Sequence, residues 1–134
     1  MFDNGWSATP DYPFVDISIH YHQTVFVADH SAFYIIGGYS SSDFVAVETI
    51  GMFKEKWGTW SQVGKLNKAR RQHVTLWTGT SFIVAGGLPG TQPTERCERI
   101  DNKSDQLYCV DIEPDLAAYN TGAAFLVDDS YCSP

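Results

Sequence analysis

Three cysteines, Cys97, Cys109 and Cys132, are the side chains of this sequence with the widest chemistry open to them, and their odd number leaves one outside any intrachain pair. A hairpin turning about Lys103 would set Cys97 directly opposite Cys109. Cross-strand Cβ atoms then lie about 4.5–5.5 Å apart, close enough for a disulfide after a small adjustment in a non-hydrogen-bonded pair. The alternative is two buried thiols. The hairpin tip would carry Asn102-Lys103-Ser104, an N-glycosylation sequon, unless that triplet is a chance match. A disulfide and a glycan both imply an oxidising, extracellular setting. Cys132 is left for another chain or another part of the protein. Three cysteines at these spacings match no zinc ligand pattern.

The other reactive residues point to structure more than to catalysis. His20 and His22 share a face if they lie on a strand, which could offer two imidazoles to one metal. No carboxylate or third histidine has matching spacing, so a hydrogen-bonded strand edge is the simpler reading. His73 opens a strand and reads as structural. Asp101, Asp105, Asp111, Glu113, Asp128 and Asp129 lack the spacing of a calcium loop and read as a solvated acidic rim. Arg70-Arg71 could grip an acidic partner, or pair within the chain with Glu48 or Glu98. No G-x-S-x-G, H-E-x-x-H or C-x-x-C motif occurs, and no glycine run opens a helix that would cradle phosphate. We therefore expect no catalytic residue, no cofactor and no metal.

The elements that would hold these residues are short strands. A length of 134 residues fits one domain, and 43% hydrophobic content is enough for a core. Nine basic against sixteen acidic residues give a net charge of −7, which argues against a nucleic-acid partner. No run of eighteen apolar residues occurs, so no membrane span is expected. Met1-Phe2-Asp3-Asn4-Gly5 shows no basic n-region, so the chain reads as cytosolic, or as a mature or internal piece.

Two runs organise the sequence. Phe33-Tyr34-Ile35-Ile36 ends on Gly37-Gly38, and Phe82-Ile83-Val84-Ala85 ends on Gly86-Gly87. Each has the length of a buried strand, and each glycine pair would permit a sharp bend or a close backbone approach. Gly37 and Gly86 stand 49 residues apart, and Glu48 and Glu98 stand 50 apart. A period near fifty is the mark of a repeat.

The first cycle reads as strands at 17–27, 32–38, 44–50 and 57–63, with Gly51 as a break. The second reads as 71–77, 81–87, 94–100 and 106–112. Residues 1–16 read as a trailing strand and loop, 17–66 as one unit, 67–115 as a second, and 116–134 as the start of a third. No sustained helical period appears. The fold expected is all-β, and Trp6, Trp57, Trp60 and Trp77 are expected to pack between units.

In this order the chain resembles the kelch-repeat β-propeller family. The resemblance rests on Trp60-Ser61-Gln62-Val63-Gly64-Lys65-Leu66, then Ala69-Arg70-Arg71-Gln72-His73, then Phe82 to Gly87, with Glu48-Thr49-Ile50 and Glu98-Arg99-Ile100 as third strands. The repeat signature is then Gly37, Gly38, Gly86, Gly87, Trp60, Arg71 and His73. The segment from Thr94 to Cys132 also resembles cysteine-bearing kelch domains of secreted invertebrate proteins.

The departures are Tyr108-Cys109 where tryptophan is usual, His22 where an arginine is usual, and a low blade count. Propellers close with four to eight blades, and about two complete four-stranded blades are visible here. The resemblance implies a partial propeller, a fragment of a longer one or an arc completed by other chains; the alternative is a chain that folds alone as a small open sandwich. The resemblance also implies a non-catalytic protein-binding or extracellular structural module, presenting loops 39–43, 51–56 and 88–93. Two alternatives are an intracellular ubiquitin-ligase substrate adaptor and a fragment of a copper radical oxidase. The oxidase needs a tyrosine–cysteine crosslink that the adjacent Tyr108 and Cys109 would not supply, since neighbours on a strand point to opposite faces.

Overall fold

The computed structural model describes residues 10–14, 18–91, 97–103 and 106–112, and within them the chain is all-β. No described helix is long and apolar enough to cross a membrane. In chain order the strands are β1 (Ile19–His20), β2 (Gln23–Val27), β3 (Ala32–Ile36), β4 (Tyr39–Ser40), β5 (Val45–Ala46) and β6 (Thr49–Lys54). They continue with β7 (Thr59–Lys65), β8 (Val74–Trp77), β9 (Ser81–Ala85), β10 (Cys97–Lys103) and β11 (Gln106–Ile112). One 3-10 turn, Ala28–His30, joins β2 to β3.

Two antiparallel meanders carry the fold. β2, β3, β6 and β7 pair in succession, as do β8, β9, β10 and β11. Their last strands meet side by side in parallel through one rung, Gly64 against Leu107, so the two meanders form a single open sheet in the order β2-β3-β6-β7-β11-β10-β9-β8. A Cβ on Gly64 would lie 2.9 Å from Leu107 Cβ and 2.9 Å from its carbonyl oxygen, so the joint needs glycine there.

The sheet folds back on itself at that joint, bringing β2 beside β8. The core fills the space between the meanders. Val27, Ala32, Tyr34, Ile36, Ile50 and Met52 come from the first, and Phe82, Val84, Ile100 and Leu107 from the second. Side chains alternate across a strand, which is why β3 buries residues 32, 34 and 36 while Phe33 faces away. A small second sheet, β1-β4-β5, caps the end where the glycine pairs lie.

The two meanders repeat in detail. Tyr21 and Gln72 both adopt the left-handed conformation, at φ 53° and 54°. A histidine follows each, His22 and His73, and the first strand of each meander begins on the next residue. Phe26 then pairs with Phe33, and Trp77 with Phe82. The hairpin between these pairs is two residues longer in the first meander, as the sequence between the paired residues shows.

Several strand bounds differ from those expected. The runs at 17–27 and 71–77 are interrupted at Tyr21 and Gln72 by the left-handed residues. The third strand of the first meander is 49–54, not 44–50, so Gly51 lies inside it, where the register against β7 shifts between Ile50 and Gly51 without ending the strand. Its missing side chain leaves room for Tyr12, whose Cε2 lies 2.5 Å from where a Cβ would stand. Residues 51–54 of the expected 51–56 loop are thus strand. Glu48 does not occupy the place of Glu98. Opposite β9, Glu98 pairs with Val84, whereas opposite β3 the corresponding Ile35 meets Gly51.

Candidate functional site

Connections between strands cluster at two ends of the folded sheet, and the glycine-pair end is built most tightly. Gly37 and Gly38 have φ 58° and 122°, and Gly86 and Gly87 have 67° and 88°, all in the region that favours glycine. Space forbids side chains as well. A Cβ on Gly37 would meet the Arg70 carbonyl oxygen at 2.7 Å and His73 Cε1 at 2.8 Å, and one on Gly87 would meet the Arg71 carbonyl oxygen at 2.6 Å. These approaches are hydrogen bonds in the making: the Gly38 N–H donates to the Arg70 carbonyl at 2.8 Å, and Leu88 and Arg71 exchange backbone bonds at 2.8 and 3.1 Å. The signature glycines therefore let the connection 66–73 lie flat on both meanders.

Within that connection Arg70 and Glu98 form a fully buried ion pair, Nη2 to Oε1 at 2.6 Å. Glu98 also accepts the amide N–H groups of Asn67 at 2.7 Å and Lys68 at 3.2 Å. Arg70 Nη1 donates to the Gly86 carbonyl at 2.9 Å. One clip thus ties the linker, the second glycine pair and β10 together. Of the two readings open for Arg70-Arg71, pairing with Glu98 is realised by Arg70. Arg71 stacks its guanidinium 4.6 Å from the ring centre of Tyr39, and Glu48 pairs at the surface with Lys65 at 2.8 Å.

His73 is buried beside this clip, and burial, helped by the Arg70 charge, pushes its pKa down to about 3 against a weak opposing pull from the Ile36 backbone. His22 is shifted down in the same direction by burial. Both are held neutral as packing groups. Among the described residues no cluster of histidine, cysteine or carboxylate is disposed to hold a metal.

The same end carries the hairpin of β4 and β5. Ser40 is fully buried and its Oγ donates to Asp43 Oδ2 at 2.9 Å while accepting the Asp43 N–H at 3.3 Å. Ser41 is anchored to Ser18, Oγ to Oγ at 2.7 Å. On this braced turn Phe44 sits at φ 57° with 76% of its surface exposed, and Val45 and Tyr21 are exposed with it. A left-handed phenylalanine costs about 1–2 kcal/mol, and an exposed ring recovers none of that by burial.

At the opposite end a cleft of about 550 Å³ lies between the meanders, lined by His30, Tyr34, Met52, Lys54 and Trp57 among others. His30 Nδ1 there bonds the Tyr34 hydroxyl at 2.8 Å, and Lys54 Nζ lies 4.5 Å from the ring centre of Trp57. Trp57 therefore sits in an exposed turn instead of between units, whereas Trp77 packs on the core. Trp60 packs against Phe53 and Tyr12, its Nε1 donating to the Pro10 carbonyl at 2.8 Å. Burial raises the Tyr12 pKa to about 12.

The cysteine geometry is a correction. β10 and β11 pair Cys97 with Ile112 and Ile100 with Cys109, so the two cysteines stand three rungs apart. At about 3.4 Å per residue that is roughly 10 Å along the strand, beyond the Cα separation of about 7 Å that a disulfide bridges. The turn lies later than the Lys103-centred one: Lys103 is itself a ladder residue, opposite Gln106. Asn102 consequently lies in the strand, opposite Leu107, not at a tip. Trp6, Ser104, Asp105, Glu113, Asp128, Asp129, Cys132 and the expected third unit lie outside the described residues, as does residues 92–93 of the expected 88–93 loop.

Sequence foresaw the glycine pairs and missed Phe44, which read only as the start of a strand. The Ser40-Ser41-Ser42-Asp43 run was its one advance sign, as a polar turn. A comparison with protein-family models gives no match, and neither does a comparison with curated proteins.

Proposed function

We propose that this chain is a non-catalytic protein-binding module, one stretch of a repeat array of the kelch type, which engages a partner through the β4–β5 hairpin. The observation that carries this reading is Phe44. Native chains hold a bulky residue in left-handed backbone where the surroundings over-determine it, and such positions cluster at binding and switch sites. Here the buried Ser40, the Asp43 carboxylate and the Ser18–Ser41 link supply the over-determination, and the ring they support points at solvent. Aromatic side chains, phenylalanine among them, are enriched in the cores of protein interfaces. The repeat itself supports the array: two meanders share the left-handed residue, the histidine, the aromatic pair and the glycine pair at matching positions.

A photo-crosslinking amino acid at position 44 tests the reading, with position 56 at the other end as control. The expected result is a discrete adduct with one protein at position 44, competed away by the wild-type chain but not by Phe44→Ser. Equal labelling from positions 44 and 56 would refute it. Secretion and an N-glycan at Asn102 now rest on the sequon alone, and deglycosylation of the natural protein, read by mass, tests that part.

A further inference from the structure

The same cross-strand aromatic pair occurs twice in this molecule with opposite burial. Trp77 and Phe82 lie with ring centres 4.7 Å apart, and Phe26 and Phe33 lie 4.7 Å apart. Phe82 is 0% exposed, seated against Tyr34 of the first meander at 4.9 Å, and Trp77 meets His30 at 5.2 Å. Phe26 and Phe33, at the matching places, are 54% and 45% exposed. Tyr12 covers the neighbouring Gly51 and Trp60 on that face.

The internal contact supplies the template for what belongs there. The residue that seats Phe82 is Tyr34, which follows Phe33 on β3. The residue that follows Phe82 on β9 is Ile83, and it shares a rung with Leu76 on β8 and Arg99 on β10. That rung lies on the side of the second meander turned away from the core, and Arg99 is exposed there. We propose that Phe26 and Phe33 form a docking face for a second copy of this chain, which seats the Leu76–Ile83–Arg99 side of its second meander on them, head to tail. The contact reproduces between copies the packing that the two meanders make within one. Arg99, held by Asp101 at 2.9 Å, adds a guanidinium suited to stacking on a phenylalanine ring. This inference rests on the repeat reading above but not on the Phe44 partner, so the two fail separately. The two surfaces differ, which makes the interface heterologous.

Sedimentation velocity of the whole 134-residue chain across a wide concentration range is the test, with Phe33→Lys and Ile83→Lys as variants. Wild type should self-associate. Each variant alone should weaken association at least roughly thirtyfold, the effect of removing one interface hot spot. An equimolar mixture of the two variants should give a heterodimer, because each retains the face the other lacks. If Ile83→Lys does not melt cooperatively, Arg99→Glu on the same rung replaces it. A wild type that stays monomeric throughout overturns the proposal, whatever else covers the pair. Association that the mixture fails to restore overturns it too. Crosslinking from position 44 is unaffected by either outcome.

Discussion

Replacing Glu98 by alanine removes the carboxylate that holds Arg70 at 2.6 Å and the amides of Asn67 and Lys68 at 2.7 and 3.2 Å. Taking one partner from a fully buried ion pair costs about 3–5 kcal/mol, since the remaining charge loses its counter-charge and stays desolvated. The amides of Asn67 and Lys68 lose the same carboxylate as acceptor, and their cost falls within that range. We expect about 4 kcal/mol for Glu98→Ala. Glu98→Gln keeps an oxygen for the amides but gives up the charge, so about 2 kcal/mol is expected. The double variant Arg70→Met/Glu98→Leu removes both charges and should return to within about 1 kcal/mol of wild type. Urea unfolding measures all four proteins, and an unchanged m-value shows that native stability has moved and not the denatured state. A loss of about 4 kcal/mol corresponds to a fall of about 12–16 °C in Tm for a chain of this size. Glu98→Ala within about 1 kcal/mol of wild type, or a double variant no more stable than Glu98→Ala, would show that the clip does not hold the meanders together.

Gly37→Ala puts a Cβ at 2.7 Å from the Arg70 carbonyl oxygen and should cost about 3 kcal/mol, whereas Gly58→Ala, with nothing within 4 Å, should cost about 1 kcal/mol; thermal melts of the pair decide between strain alone and strain plus clash. His73 has a folded pKa of about 3, below its ordinary 6.5, so the unfolded chain binds the proton more readily between those values. Its contribution is fully present above pH 6.5 and falls by up to about 1.4 kcal/mol per unit as pH drops toward 3. His22, shifted the same way, adds to the slope. Stability measured between pH 7 and 4 should fall less steeply in His73→Gln, and an unchanged slope would remove His73 from the account. Non-reducing peptide mapping should find no Cys97–Cys109 linkage, and Cys97, buried at 3% exposure, should alkylate slowly until the chain unfolds.

The glycine pairs were legible because local conformation and close approach both act on one residue type, and nothing else satisfies both at Gly37. Hydrophobic alternation located β3 and β9 because each buries every second side chain. It misplaced β6 because residues 44–50 alternate well enough for a strand, while the hairpin β4–β5 and the Tyr12 ring over Gly51 decide where pairing begins. Neither is visible from spacing. The cysteine arithmetic failed for the same reason: parity constrains a strand face, but the turn sets the register, and moving the turn by a residue or two separates Cys97 from Cys109 by three rungs. Glu48 and Glu98 align fifty residues apart in sequence, yet only Glu98 faces the linker that carries Arg70. The correspondence of Phe26 with Trp77 escaped notice because their hairpins differ by two residues, which shifts the spacing from 51 before the turn to 49 after it.

The lone rung at Gly64 and Leu107 has a mechanical consequence. The ladder itself joins the halves through one rung, so cooperativity between them falls to the interdigitated core, the Arg70–Glu98 clip and the main-chain bonds that the 66–73 connection makes to both meanders. A solvent that weakens apolar contact should let the halves melt as two units before either loses its own ladders, and amide protons at the rim should exchange ahead of those inside each meander.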